Sequence, residues 1–330
     1  MKIISIAALF IASLFIFNDS WAIAHNDHKN NIVVTIKPLH AIVSGVIGST
    51  TQAVLLVDKA SPHGFQLKPS QVRAVQRADV IFYIDDRFET FLPQLFATLP
   101  THIKKLAVAQ KAGLMILSYR KGGTWDTHEY EAHEHAAEHA IAKGHYHDHH
   151  DHHDDDLHVW LDPENARKIV TFVTRELSKI YPENQDIYQA NAQQYIEKID
   201  ALDAALKALL TGLQDQPFIV FHDAYQYFER AYGLNGVGSM TFEPDASPTP
   251  KRIKEVREKL QQAGVPCVFR EPQFSDRLIA TVTEGTNAQS SILDPLGINL
   301  DAGETLYFGL MKNLATNLRQ CLSNTLNEAK

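Results

Sequence analysis

Two kinds of apolar segment alternate along most of the chain. Short β-branched and aromatic runs such as IVVTI and VIFYI predict buried strands, and the segments between them carry apolar residues at helical spacing. The first half gives strands near 32–36, 53–57, 80–84 and 105–109, and the same alternation returns over 218–293. Strands separated by single helices indicate parallel sheets that are covered on both faces.

The two alternating halves share a sequence pattern of loop, proline, helix and strand. It occurs as SPHGFQLKPSQVRAVQRADVIFY and again as EPDASPTPKRIKEVREKLQQAGVPCVFR. We therefore predict an α/β protein with two similar (β/α) lobes, 25–160 and 213–330, that face each other across a cleft. Residues 161–212 are predicted to be helical. Within them, 183–211 form one rigid helix of about 40 Å that joins the lobes.

The first 24 residues have a different pattern. A lysine near the start, an apolar run over 3–17 and the small-x-small sequence Ala22-Ile23-Ala24 predict a signal peptide that is cleaved near Ala24. The apolar run is shorter than the roughly 20 residues that span a bilayer. We expect a soluble exported protein, and its formal charge of -8 argues against nucleic acid as a partner.

A polar stretch over 126–156 interrupts the first lobe. It has too few apolar side chains to offset the entropy lost on ordering, so we expect a disordered loop. Neutral imidazole suits zinc, copper and nickel, and the interleaved aspartates add oxygen ligands. We predict several weak metal sites, with a solvated acidic linker as the alternative. The histidines of this tract are His128, His133, His135, His139, His145, His147, His149, His150, His152 and His153.

Three further histidines lie at the ends of predicted elements. His63 follows a strand, His158 precedes a helix, and His222 comes directly after the strand FIVF. Ligands of open parallel sheets bind beyond the carboxyl ends of the strands, so these positions can converge in the cleft. With Asp294, which follows the strand SSIL, they would form a tetrahedral zinc shell. Taken singly, each has a structural alternative as a surface, core, capping or turn residue.

The chain contains two cysteines, Cys267 and Cys321. In an oxidising compartment we expect them to pair. Closing a loop of that size would stabilise the fold by about 4 kcal/mol in the chain-entropy model. A metal site formed by the two cysteines is the alternative, although they lack a CxxC spacing and a neighbouring histidine.

A set of motifs that covers nearly the whole mature chain resembles one known family. The motifs are SPHGFQLKPSQV, the His/Asp-rich tract, DLHVWLDPENA, FHDAYQYF, GSMTFEPDASPTPKRI, FREPQFS and LDPLG. Together they resemble the metal-binding solute-binding proteins of bacterial ABC transporters, in particular those of zinc uptake. The resemblance implies two lobes joined by a long helix, zinc held between them by His63, His158 and His222, and a disulfide between the cysteines.

The resemblance also bears on metal choice and on the fourth ligand. Manganese-binding relatives have a carboxylate where this chain has His222, so His222 favours zinc. Some zinc-uptake relatives have a glutamate directly before the first histidine, whereas this chain has Pro62. Water or Asp294 is then left for the fourth position, and we favour Asp294.

The expected function is the capture of Zn²⁺ in the periplasm and its delivery to an inner-membrane ABC permease. We expect a monomer that is not an enzyme, and an auxiliary periplasmic zinc chaperone is a second candidate partner. One alternative is a secreted metal-buffering or adhesin-type protein of the same fold. Another is a zinc hydrolase with Glu243 or Glu271 as general base, although the sequence has no HExxH motif.

Overall fold

A computed structural model describes residues 30–120, 155–241, 248–274 and 276–328. The predicted signal peptide, Glu243 and the ten histidines of the His/Asp-rich tract lie outside the described residues. Within the described ranges, no helix combines the length and the apolar character needed to cross a membrane.

The first lobe is built on a four-stranded parallel sheet of order β2-β1-β3-β4. Strand β1 is buried along its whole length, as expected for a strand that is covered on both faces. The strands are β1 (Ile32–Ile36), β2 (Val54–Val57), β3 (Val80–Tyr83) and β4 (Lys104–Ala107), and the helices are α1 (Lys37–Ile47), α2 (Pro69–Gln76), α3 (Pro93–Phe96) and α4 (Val108–Lys111).

The second lobe repeats this topology. Its parallel sheet has the order β8-β7-β9-β10, so each sheet runs second, first, third, fourth in chain order. The prediction of two similar parallel α/β lobes is confirmed. The strands are β7 (Pro217–His222), β8 (Asn235–Thr241), β9 (Cys267–Arg270) and β10 (Gln289–Ile292), and the helices are α7 (Gln226–Tyr232), α8 (Pro250–Gln262), α9 (Asp276–Thr283) and α10 (Leu306–Glu328).

Two helices lie between the sheets in the chain, α5 (Pro163–Ile180) and α6 (Gln185–Leu210). The Asp162 carboxylate caps α5 by accepting the backbone N–H of Glu164. Helix α6 starts two residues later than predicted because Pro182–Asn184 form a 3-10 turn. Its 26 residues make it about 39 Å long, and it packs against α1 of the first lobe and α10 of the second. The predicted helix joining the lobes is confirmed.

A glycine allows α1 and α6 to approach closely. A Cβ added at Gly45 would lie 2.2 Å from ring atoms of Tyr195, so the ring of Tyr195 occupies the space of the missing side chain. The hydroxyl of Tyr195 then donates to the Glu304 carbonyl, 3.0 Å away and just before α10. One side chain of α6 thus contacts both lobes.

A short antiparallel ribbon pairs β5 (Leu117–Ser118) with β6 (Asp155–Asp156). The prediction that disorder extends to residue 156 is therefore wrong at its last two positions. Aspartate has a low strand propensity, so tertiary contacts must decide the structure here. The Tyr227 hydroxyl donates to the Asp156 carbonyl at 2.6 Å and accepts the backbone N–H of Leu117 at 2.9 Å.

The two cysteines form a disulfide that connects β9 to α10. The predicted pairing is confirmed. Because neither thiol is free, the alternative of a metal site formed by the two cysteines is excluded.

A buried lysine links the lobes at the cleft. The Lys37 ammonium, at the start of α1, donates to the carbonyls of Ile298 and Leu300 in the second lobe, each at 2.8 Å. It also pairs with Asp58 at 3.0 Å. The lobes are therefore joined on the cleft side as well as through α6.

Candidate metal centre

The structure brings together the three histidines that were predicted to converge. His63 comes from the loop after β2, His158 from the residue before the 3-10 turn that leads into α5, and His222 ends β7. One ring nitrogen of each lies within 4.8 Å of the other two. The convergence follows from the topology, because β2 and β7 both end at the cleft.

The spacing of the rings suits a single small metal ion. The Nε2 atoms of His158 and His222 are 3.2 Å apart. A tetrahedral zinc ion with Zn–N bonds of about 2.0–2.1 Å separates its nitrogen ligands by about 3.3 Å. The His63 ring centroid lies 5.7 Å from that of His158 and 6.0 Å from that of His222. Three nitrogens therefore surround one point.

Carboxylates orient two of the three rings. His158 Nδ1 lies 2.8 Å from Asp156 Oδ1, and His222 Nδ1 makes a short hydrogen bond with Glu271 Oε1. When these carboxylates are ionised they only accept hydrogen bonds, so each Nδ1 then carries the proton and each Nε2 keeps its lone pair. Burial raises the pKa of Asp156 to about 7 and also raises that of Glu271. This carboxylate–imidazole arrangement is the usual support of a metal-binding histidine.

The third ring is held differently. His63 packs edge-on against Phe88, with ring centroids 4.8 Å apart, and its backbone N–H donates to Ser61 Oγ at 3.2 Å. It is half-buried, whereas His158 and His222 are 2% and 3% exposed. The described contacts of the His63 ring are with other rings rather than with a carboxylate.

The surroundings move the pKa values of the three imidazoles in different directions. Burial, together with repulsion from the neighbouring imidazoles, lowers the pKa of His63 and of His158 well below the ordinary value. Burial acts the same way on His222, but the charge and the hydrogen bond of Glu271 outweigh it and raise the pKa. At neutral pH, His63 and His158 therefore offer lone pairs, and His222 is the first of the three to be protonated as the pH falls.

Asp294 does not join the imidazole cluster. Its carboxylate accepts the backbone N–H groups of Leu296, Gly297 and Ile298 at 3.1, 2.9 and 2.7 Å. The cavity beside the histidines is lined by Pro295 and Leu296 from this segment. Asp294 thus stabilises a turn, which is the alternative to metal binding that the sequence left open. No described contact supports its predicted role as fourth ligand.

Two residues that support the site were missed from the sequence. In the sequence, Asp156 falls within the His/Asp-rich tract, and Glu271 is a candidate only as a hydrolytic base. The register of the strands could have indicated Glu271. Val220 of β7 pairs with Phe269 of β9, so His222 and Glu271, each two residues further along, lie side by side at the ends of neighbouring strands. For Asp156 the signal is the spacing Asp-x-His, which lets the carboxylate reach both the backbone N–H and the ring of His158.

A buried group of charges lies directly behind His222. The Arg120 guanidinium contacts the carboxylates of Asp223 and Glu229, which are at most 1% exposed. A Cβ added at Gly236 would lie 2.6 Å from the Glu229 oxygens, so this glycine makes room for the group. These contacts fix Arg120, which follows β5, against the residue that comes directly after His222.

Residues 32–321 match the family described as "Zinc-uptake complex component A periplasmic", ZnuA. The chain belongs to the ZnuA family. The High-affinity zinc uptake system protein ZnuA of Brucella suis biovar 1 is 40% identical over 338 residues, covering 96% of this chain and 98% of that protein. The ZnuA of Yersinia pestis is 30% identical over 88% of this chain and 91% of its own.

Solved structures of similar proteins share the two-lobed fold. Zn(II)-bound AdcA from Streptococcus pneumoniae is 27% identical with a TM-score of 0.68, and covers 89% of this chain and 58% of its own, longer chain. A crystal structure of a ZnuA has a TM-score of 0.70 over 88% of this chain and 98% of its own; at 24% identity it shows the fold alone. The predicted membership and fold class are both confirmed.

Proposed function

We propose that this chain captures Zn²⁺ in the periplasm and delivers it to an inner-membrane ABC permease for zinc uptake. The observation that carries the proposal is the convergence of three imidazoles in the cleft, two of them fixed by carboxylates with Nε2 directed inward. The names of the ZnuA relatives support zinc uptake as the process.

The proposed ligands are His63, His158 and His222. Three nitrogen ligands favour zinc over manganese and magnesium, which prefer oxygen. A dication held by neutral imidazoles is costly to bury unless opposite charge lies near. Asp156 and Glu271, each hydrogen-bonded to a ligand ring, supply two negative charges when ionised and offset the charge of the ion.

The remaining features of the proposal follow from the sequence. Residues 1–24 direct export, the mature protein acts as a monomer, and the permease receives the ion, with an auxiliary zinc chaperone as a second partner. The ten histidines of the His/Asp-rich tract gather further zinc at lower affinity. The lobe boundaries at 25–160 and 213–330 remain predictions from the sequence.

The structure offers little support for a hydrolase. Glu271, the base candidate within the described residues, accepts from His222 through Oε1 and from Gln273 through Oε2. A general base needs an oxygen that faces the attacking water. Glu271 therefore fits the role of orienting His222 better than that of abstracting a proton.

A zinc titration of the mature protein tests the proposal against a triple variant, His63→Ala/His158→Ala/His222→Ala, with the tract intact. His102→Ala serves as the control because His102 is an exposed loop histidine. We expect the tight site to vanish in the triple variant and the weak sites to remain. Tight binding that survives would locate the site elsewhere and indicate a metal buffer. Rescue of growth in zinc-poor medium separates uptake from buffering.

A further inference from the structure

One residue that lines the metal cavity has a buried polar atom for which the described part of the chain offers no hydrogen-bond partner. Gln273 follows β9 and lines the cavity together with the three histidines. Its side-chain oxygen is buried and accepts no hydrogen bond from the described residues. Buried acceptors are nearly always paired, so an unpaired one beside a binding site points to a ligand group that can donate.

The orientation of the Gln273 amide is fixed by its other end. Its Nε2 donates to Glu271 Oε2 at 2.7 Å. Because a carboxylate only accepts, the nitrogen must face Glu271, and the unpaired atom is therefore the amide oxygen.

Glu271 connects Gln273 to a proposed zinc ligand. The other carboxylate oxygen, Oε1, accepts from His222 Nδ1. The hydrogen bonds thus run from His222 through Glu271 to Gln273 and end at the unpaired Oε1 of Gln273. A hydrogen-bond donor bound to the same ion as His222 would close this chain into a ring.

We propose that Gln273 positions a water molecule as the fourth ligand of the zinc ion by accepting one of its hydrogen bonds. The inference rests on the proposed zinc site. Three imidazoles leave one tetrahedral position, Pro62 has no ligand atom in its side chain, and Asp294 is engaged by three backbone N–H groups. Water can bind the ion through its oxygen and donate to Gln273 at the same time.

The arrangement makes the fourth position selective. A ligand that donates a hydrogen bond satisfies Gln273, whereas azide has no proton to donate and leaves the amide oxygen unpaired. Replacing Gln273 by methionine removes the acceptor at similar side-chain length. We therefore expect the variant to bind azide at the metal more tightly than the wild type.

The test uses the mature protein loaded with Co²⁺, whose visible spectrum reports ligand number and exchange. The variants are Gln273→Met and, as matched control, Gln110→Met, because the Gln110 amide donates to the Asp85 carboxylate at 3.0 Å in the first lobe. We expect all three proteins to bind one tight Co²⁺. Azide affinity should rise about fivefold to tenfold in Gln273→Met alone, the effect of one hydrogen bond.

A second measurement needs no variant. The Co²⁺ wild type in ¹⁷O-enriched water should show a broadened electron paramagnetic resonance signal from directly bound water oxygen. Absence of broadening, or equal azide affinity in the wild type and Gln273→Met, overturns the role of Gln273. Failure of the wild type to bind one Co²⁺ tightly is a different result, since it overturns the zinc site itself.

Discussion

The two lobes share one topology, but the three histidines that they contribute are supported unequally. In the second lobe, His222 ends a central strand and its ring is held by Glu271 from the neighbouring strand. His158, before α5, is held in the same way by Asp156. In the first lobe, His63 stands on the loop between β2 and α2, is half-buried, and contacts aromatic rings.

This contrast shows how a rigid fold can hold two ligand rings in a fixed geometry and still leave a third ligand free to adjust when the ion enters. Ligands on strand ends with hydrogen-bonded rings keep their geometry without the metal, so little entropy is lost when the ion binds. A ligand on a loop can adjust its position to complete the shell. His158 and His222 therefore form a preorganised pair, and His63 is the ligand expected to close on the ion.

The largest effect should come from removing the ligands themselves. A zinc site of four ligands contributes about 10–16 kcal/mol, so each ligand accounts for several kcal/mol. We expect His222→Ala to weaken zinc binding about 1000-fold and His63→Ala about 100-fold, because the loop ligand can be replaced by water. Competition with a chromophoric chelator measures both. Equal losses would contradict the expected difference between the supported ligand His222 and the loop ligand His63.

The supporting carboxylates should have the next largest effect. Glu271→Gln and Asp156→Asn are expected to weaken zinc binding about 10–100-fold, as for other residues that orient metal-binding histidines. Asp155→Asn is the matched control, since Asp155 pairs with Arg87 and not with a histidine. A comparable loss in Asp155→Asn would show that charge near the cleft matters more than ring orientation.

The pH dependence should follow His222. Its raised pKa means that protons compete with zinc for His222 at a higher pH than for His63 or His158. Affinity should fall as the pH drops from 7.5 to 5.5, approaching about tenfold per unit once His222 is protonated in the free protein. Glu271→Gln removes the charge that raises this pKa and should move the fall to lower pH. Isothermal titration across this range checks both, and a flat profile in the wild type would contradict them.

Deletions of the His/Asp-rich tract should affect the tight site only where they reach Asp156. Removing 126–154 is expected to abolish the weak sites and to change the tight affinity by less than about twofold, because the structure places Asp155–Asp156 in the ribbon. Removing 126–156 also removes the partner of His158 and should weaken the tight site about 10–100-fold. If the shorter deletion abolishes tight binding, the tight site lies in the tract and not in the cleft.

The smallest effect should be on overall shape. Helix α6 contacts both lobes, and Lys37 joins them at the cleft. Small-angle scattering of the metal-free and zinc-loaded proteins should give nearly equal radii of gyration. A large decrease on loading would show that the lobes close on the ion and that adjustment is not confined to the His63 loop.

The sequence predicted the elements because their periodicity is strong, and it predicted the histidine cluster because each member lies at an element end. It did not predict the supporting contacts. Asp156 follows a run of aspartates and histidines, so its neighbours in the sequence do not distinguish it from the rest of the tract. Only its burial beside Tyr227 does so. Asp294 as fourth ligand stays a prediction without a supporting contact. Asp294 before Pro295 makes turn contacts, and nothing local in the sequence separates that role from ligation.

Lys37 has a consequence for the rate at which an ion leaves the cleft. Separating the lobes at this point would strip a buried ammonium of two carbonyl acceptors at 2.8 Å, so spontaneous opening is disfavoured. Release would then be slow in the free protein, and a tightly held ion would stay bound through many encounters with water. We expect fast handover to need a partner whose docking separates the lobes. Lys37→Met should therefore speed both the uptake of the ion and its dissociation into a chelator, because entry and exit require the same opening, while the equilibrium affinity changes little.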